Sequence, residues 1–85
     1  MKWYDLPKDV SRKEAQLILK YMQDIIDVYG YVTLADFYDL CGSKVSFYKD
    51  TKKELHRLAG ARVSSMRKEG RYRILLPDFV EGLWI

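Results

Sequence analysis

Cysteine and histidine are almost missing from this chain, whose 85 residues hold one of each. A zinc site of the usual four cysteine and histidine ligands is therefore excluded. So is a framework of disulfides within the chain, and a single cysteine points to a reducing compartment. Cys41 and His56 are distant in sequence, so a Cys–His nucleophile pair would need the fold to bring them together. Gly30, Gly42, Gly60, Gly70 and Gly82 are isolated, so there is no glycine-rich phosphate loop. Asp24/Asp27 and Asp36/Asp39 flank no metal-loop pattern and read as solvated faces. No apolar run reaches the roughly 18–20 residues of a membrane span. Met1-Lys2-Trp3-Tyr4-Asp5 lacks the basic-then-apolar order of a secretory signal. The expectation is a non-enzymatic protein with no catalytic residues, metal or other cofactor. We expect no membrane partner and a cytoplasmic location in the producing or host cell.

What the chain does have is basic charge, concentrated in one stretch. Residues 44–73 carry ten basic side chains against three acidic ones, a local charge of about +7. The remainder carries five against nine, about −4, so the overall +3 conceals a strong polarity. The simplest use of such a stretch is to meet phosphates. An acidic protein partner, or a merely solvated surface, are the other uses. Seven Tyr and two Trp are many for this length, and such residues gather where a core meets a partner. A chain of this size forms one domain that buries about 60–65% of its unfolded surface.

Residues 1–10 read as an extended lead-in whose Trp3, Tyr4 and Leu6 dock on the body, with Pro7 stopping regular structure. Ser11-Arg12-Lys13-Glu14 is a capping box. Ala15, Ile18, Met22, Ile25 and Tyr29 then recur at helical spacing, Leu17, Tyr21, Ile26 and Val28 widen that stripe, and Gly30 is suited to leave that helix with φ > 0. This first helix reads as a packing element, with dimerisation as its functional alternative. Tyr31-Val32 is too short for a strand of its own but can pair with a later one. Thr33 and Asp36 start a second, short helix with Leu34, Phe37 and Cys41 on one face, ended by Gly42. Cys41 reads as a small core hydrophobe.

Residues 43–48 have no clean period and read as a loop. Asp50 or Thr51 can cap a third helix, in which Leu55, Leu58 and Ala59 face inward and Lys52, Lys53 and Arg57 face solvent. His56 reads as a surface histidine. Residues 61–67 are ambiguous. Val63 and Met66 would continue a helix, but Tyr72, Ile74 and Leu76 alternate with Arg71, Arg73 and Leu75, and Gly70 supplies a turn. A hairpin closed by Pro77 is the favoured reading. Residues 78–85 form an apolar tail, packed beside Trp3 and Tyr4 or part of an interface.

The expected fold is a small α+β domain over residues 1–85, with three helices and a C-terminal β-hairpin. That order resembles the winged helix-turn-helix layout, in which the second and third helices form the helix-turn-helix and the hairpin is the wing. Residues 30–40 (Gly-Tyr-Val-Thr-Leu-Ala-Asp-Phe-Tyr-Asp-Leu), Gly60-Ala61-Arg62-Val63, Gly70 and Leu76-Pro77 also resemble a family of small uncharacterised phage and prophage proteins. The resemblance spans just over half the chain and departs most at residues 43–51. It implies a phage-type accessory or regulatory protein. The expected function is nucleic-acid binding, DNA favoured, with phosphates held by Lys49, Lys52, Lys53 and Arg57 on the third helix and by Lys68, Arg71 and Arg73 on the wing. Ser46, Tyr48 and His56 are candidates for base or partner contacts. The rival expectation is a small phage inhibitor that binds a host defence protein. A homodimer built on the first helix and the tail is the third.

Overall fold

The computed structural model of the protein describes residues 1–42, 52–66 and 68–81. Its elements run β1 (Lys2–Asp5), α1 (Arg12–Tyr29), β2 (Val32–Thr33), α2 (Leu34–Leu40), β3 (Glu54–Leu55), β4 (Arg62–Met66) and β5 (Arg71–Leu76).

Both helices begin as their sequences dictate. At α1 the Glu14 N–H donates to Ser11 Oγ at 3.1 Å and the Ser11 N–H donates back to Glu14 Oε1 at 3.4 Å. At α2 the Asp36 N–H donates to Thr33 Oγ1 and the Thr33 N–H to Asp36 Oδ2, both at 3.1 Å. Each box satisfies two backbone groups that a helix start leaves unpaired, and losing such a cap costs about 1 kcal/mol. Gly30 leaves α1 with φ 87°, its N–H bonded to the Ile26 carbonyl at 2.7 Å. Along α1 the buried side chains are Ala15, Ile18, Met22 and Ile26. Of the expected stripe, Ala15, Ile18, Met22 and Ile26 are buried and Ile25 is half-buried, whereas Leu17, Tyr21, Val28 and Tyr29 are exposed, Tyr29 at 71% in the last turn.

The main sheet is antiparallel with order β1-β5-β4. The hairpin is present, with Met66 opposite Arg71 and Arg62 opposite Leu75. Gly70 turns it at φ 65°, and the Met66 carbonyl accepts from the Glu69 and Gly70 N–H groups. The lead-in is extended and paired over β1 only, with Lys8 and Asp9 in a turn: Lys2, Trp3, Tyr4 and Asp5 stand opposite Leu76, Leu75, Ile74 and Arg73. The Leu6 N–H carries the pairing one residue further, to the Tyr72 carbonyl, and the Leu6 side chain is buried.

The third helix is not there, and the described part of the chain has two helices only. Lys52 lies in a turn, and Glu54 and Leu55 are strand β3, paired antiparallel to β2 with Val32 opposite Leu55. The Glu54 N–H and carbonyl also exchange bonds of 2.7 and 2.8 Å with Val80. The physical reason is competition. An isolated helix of under ten residues ending at a glycine is marginal in water. Strand β3 instead satisfies the backbone of β2 on one side and of the tail on the other. Leu55 is then 3% exposed, a burial worth about 1.5–3 kcal/mol. Without that basic helix, the helix-turn-helix half of the winged-helix layout is absent among the described residues, while the wing-like hairpin remains.

The core is one cluster. It joins Leu6, four α1 residues, Val32, Leu34, Phe37, Cys41, Leu55, Ile74 and Leu76. Tyr4 meets Phe37 edge-on with centroids 5.2 Å apart and Phe79 at 6.2 Å, so the start of the tail does pack beside Tyr4.

Candidate nucleic-acid interface

Alternation along β5 divides the main sheet into two faces. Ile74 and Leu76 are fully buried, on the face that packs against α1. Arg71, Arg73 and Leu75 must therefore point to the other face. The register carries this across the sheet: Trp3 and Asp5 share the outer face from β1, and Arg62, Ser64 and Met66 share it from β4.

On that face the Trp3 ring is flanked by two guanidinium groups. Arg73 Cζ lies 4.1 Å from the ring centroid and Arg62 Cζ lies 5.7 Å from it. Arg62 and Arg73 form no ion pair among the described residues, although Asp5 faces Arg73 in the register. Arg73 Nε is enclosed and has no hydrogen-bond partner among the described residues. A cation held on an aromatic face keeps its charge without a carboxylate and stays available to an anion. Arg71 differs. Its Nε and Nη2 donate to Glu69 Oε2 at 2.8 and 2.6 Å, and those hydrogen bonds raise its already high pKa. Lys68 is exposed in the turn, beside a shallow depression of about 400 Å³ lined by Ser65, Met66, Lys68, Glu69 and Arg73.

Of the residues expected on the third helix, Lys52, Lys53 and Arg57 are dispersed. Lys49 and the loop candidates Ser46 and Tyr48 lie outside the described residues. Lys52 and Arg57 are exposed on either side of β3, and Lys53 is half-buried with its carbonyl accepting from the Leu34 N–H at 3.0 Å. His56 is exposed, as expected, with Nε2 3.3 Å from the buried Glu54 carboxylate and its ring 6.1 Å from Tyr31. Lys52, Lys53 and Arg57 do not share a helical face, because residues 52–60 hold strand β3 and turns rather than a helix. Of the expected wing residues, Arg71 and Arg73 come onto one face and Lys68 sits at its end.

Sequence reasoning missed Trp3 and Arg62 as members of this face. For Arg62 the signal was available, since a hairpin with Met66 opposite Arg71 places it two strand steps from Ser64 on the same side. For Trp3 no local signal exists, because its neighbours come from the other end of the chain.

A second surface is apolar. A cleft of about 480 Å³ runs between α1 and the end of α2, lined by Pro7, Val10, Leu17, Tyr21, Leu40 and Cys41 among others. Burial pushes the Cys41 thiol from 9.0 up to about 12. Neutral at ordinary pH, it is a poor nucleophile. Among the described residues no group of three His, Cys, Asp or Glu could hold a metal ion. No described helix is long and apolar enough to cross a membrane.

No family model matches the chain, and neither the curated proteins nor the solved structures contain a match.

Proposed function

We propose that the protein is a non-enzymatic nucleic-acid-binding module, DNA favoured, acting as a phage-type accessory or regulatory protein. The single observation that supports this is the outer sheet face, where Arg62 and Arg73 flank Trp3 with no ion pair among the described residues, and Lys68 lies at the hairpin end. The interface is thereby moved from a helix to a sheet. Arg71, held by Glu69, contributes field rather than a ready phosphate contact. The phage assignment rests on the resemblance of residues 30–40 and the segments around Gly60, Gly70 and Pro77.

The test is fluorescence anisotropy of labelled random-sequence DNA, titrated with the protein at several salt concentrations. With about three phosphates neutralised, log affinity should fall against log salt with a slope of about −2 to −3. Binding that ignores salt, or no binding at low salt, rejects the reading.

The second reading is the small inhibitor of a host protein. It is favoured by exposed apolar side chains on α1: Leu17, Tyr21, Val28 and Tyr29 are between 37% and 73% exposed. Such side chains commonly anchor protein interfaces. A single host protein that co-purifies in stoichiometric amount, and is lost on Tyr21→Glu, would favour it over nucleic acid.

A further inference from the structure

Resting on the nucleic-acid reading above, we infer that the outer face of the β1-β5-β4 sheet is a binding platform for single-stranded nucleic acid, with a base stacked against the Trp3–Arg73 pair and its phosphates on Arg62, Arg73 and Lys68.

Single strands offer two things together, flat unpaired bases and regularly spaced negative charge, and proteins that take them combine aromatic rings with a basic track. Trp3 is half-buried, so the residue is anchored yet keeps part of its surface in solvent. The Arg73 guanidinium, 4.1 Å from the ring centroid, is itself a flat cation on which a base can lie. Arg62 brings a second charge from the far strand β4, its Cζ 5.7 Å from the Trp3 ring centroid. A strand crossing the sheet would meet ring and charges in one passage.

A duplex reader needs features that the described elements lack. Reading paired bases requires an element that enters a groove with donors and positive charge. Helix α2, Leu34-Ala35-Asp36-Phe37-Tyr38-Asp39-Leu40, has two acidic residues and no basic one. Helix α1 balances Arg12, Lys13 and Lys20 against Glu14, Asp24 and Asp27. Both helices pack on the opposite side of the sheet from the arginines. A broad, shallow face with a stacked ring suits splayed bases rather than a closed double helix.

The experiment uses the full chain and a fluorescein-labelled mixed-sequence oligonucleotide, single-stranded as DNA and as RNA, beside the same sequence as a DNA duplex. The single strand, in at least one of its two chemistries, should bind about tenfold or more tightly than the duplex. Trp3→Ala should weaken it by roughly 5- to 100-fold, the loss of one stacked base, with the salt slope unchanged. Should Trp3→Ala fail to fold, Trp3→Phe and Arg62→Gln carry the test. Trp3→Phe keeps a ring and should retain most of the affinity, and Arg62→Gln should lower it and flatten the salt slope by about 0.7. Equal or tighter binding of the duplex, or a folded Trp3→Ala with unchanged affinity, overturns the inference while leaving salt-dependent nucleic-acid binding in place. Polyglutamate competing as well as the single strand also overturns it, since charge alone would then suffice. Failure of every nucleic acid to bind removes the broader reading as well.

Discussion

Cys41 shows how burial alone sets the chemistry of a residue. Its backbone N–H closes α2 onto the Phe37 carbonyl, and its side chain joins the core at 8% exposure. The thiol is shifted upward because the core disfavours the thiolate. A group whose folded pKa is raised contributes stability fully present below its unfolded value, here 9.0, and lost as pH rises toward about 12. Denaturant melts across that window should show a smaller loss of stability for Cys41→Ala than for the parent chain. A thiol reagent should likewise label Cys41 slowly at neutral pH and rapidly once denaturant unfolds the protein. Glu69 makes the complementary point about exposed charge. Its pair with Arg71 is solvent-exposed, where water screens the attraction and such pairs add little stability. Glu69→Gln should therefore leave the melting midpoint nearly unchanged. It should also release Arg71 and steepen the salt dependence of DNA binding by about 0.7–0.9.

Among the elements, those specified by nearby residues were legible. Two capping boxes, the glycine that ends α1 and the hairpin turned at Gly70 all follow from residue types within a few positions of one another. Those specified by distant partners were not. Strand β3 has two residues, and its sequence reads equally as part of a helix; the decision is made by Val32 and Val80, one on each side of it. Strand β1 becomes a strand because β5 presents an open edge roughly seventy positions later. The assignment of β3 has a direct check. Amide exchange should show the Glu54 N–H protected by the Val80 carbonyl, and removing residues 80–85 should deprotect it while the α1 amides stay slow. A helix over residues 52–60 would instead protect consecutive amides there, independently of the tail.

For the whole molecule, the strong basic polarity of residues 44–73 was visible in the sequence, but not its division in space. Lys52 and Arg57 go with the small β2–β3 pair, and Arg62, Arg71 and Arg73 go to the outer face of the main sheet. The fold also adds Trp3 to the second group, which no count of charges could do. The sheet thus presents one face to the helices and carries Trp3, Arg62, Arg71 and Arg73 on the other. The outer-face account and a diffuse basic surface make different predictions about which charges matter. The decisive comparison is the salt dependence of labelled-DNA affinity for the double variant Arg62→Gln/Arg73→Gln against Lys52→Gln/Arg57→Gln. The first should flatten the slope by about 1.5–2 and lose most of the affinity, while the second should change the slope by less than about 0.5. The reverse order, with the sheet variant binding as the parent does, would contradict the account.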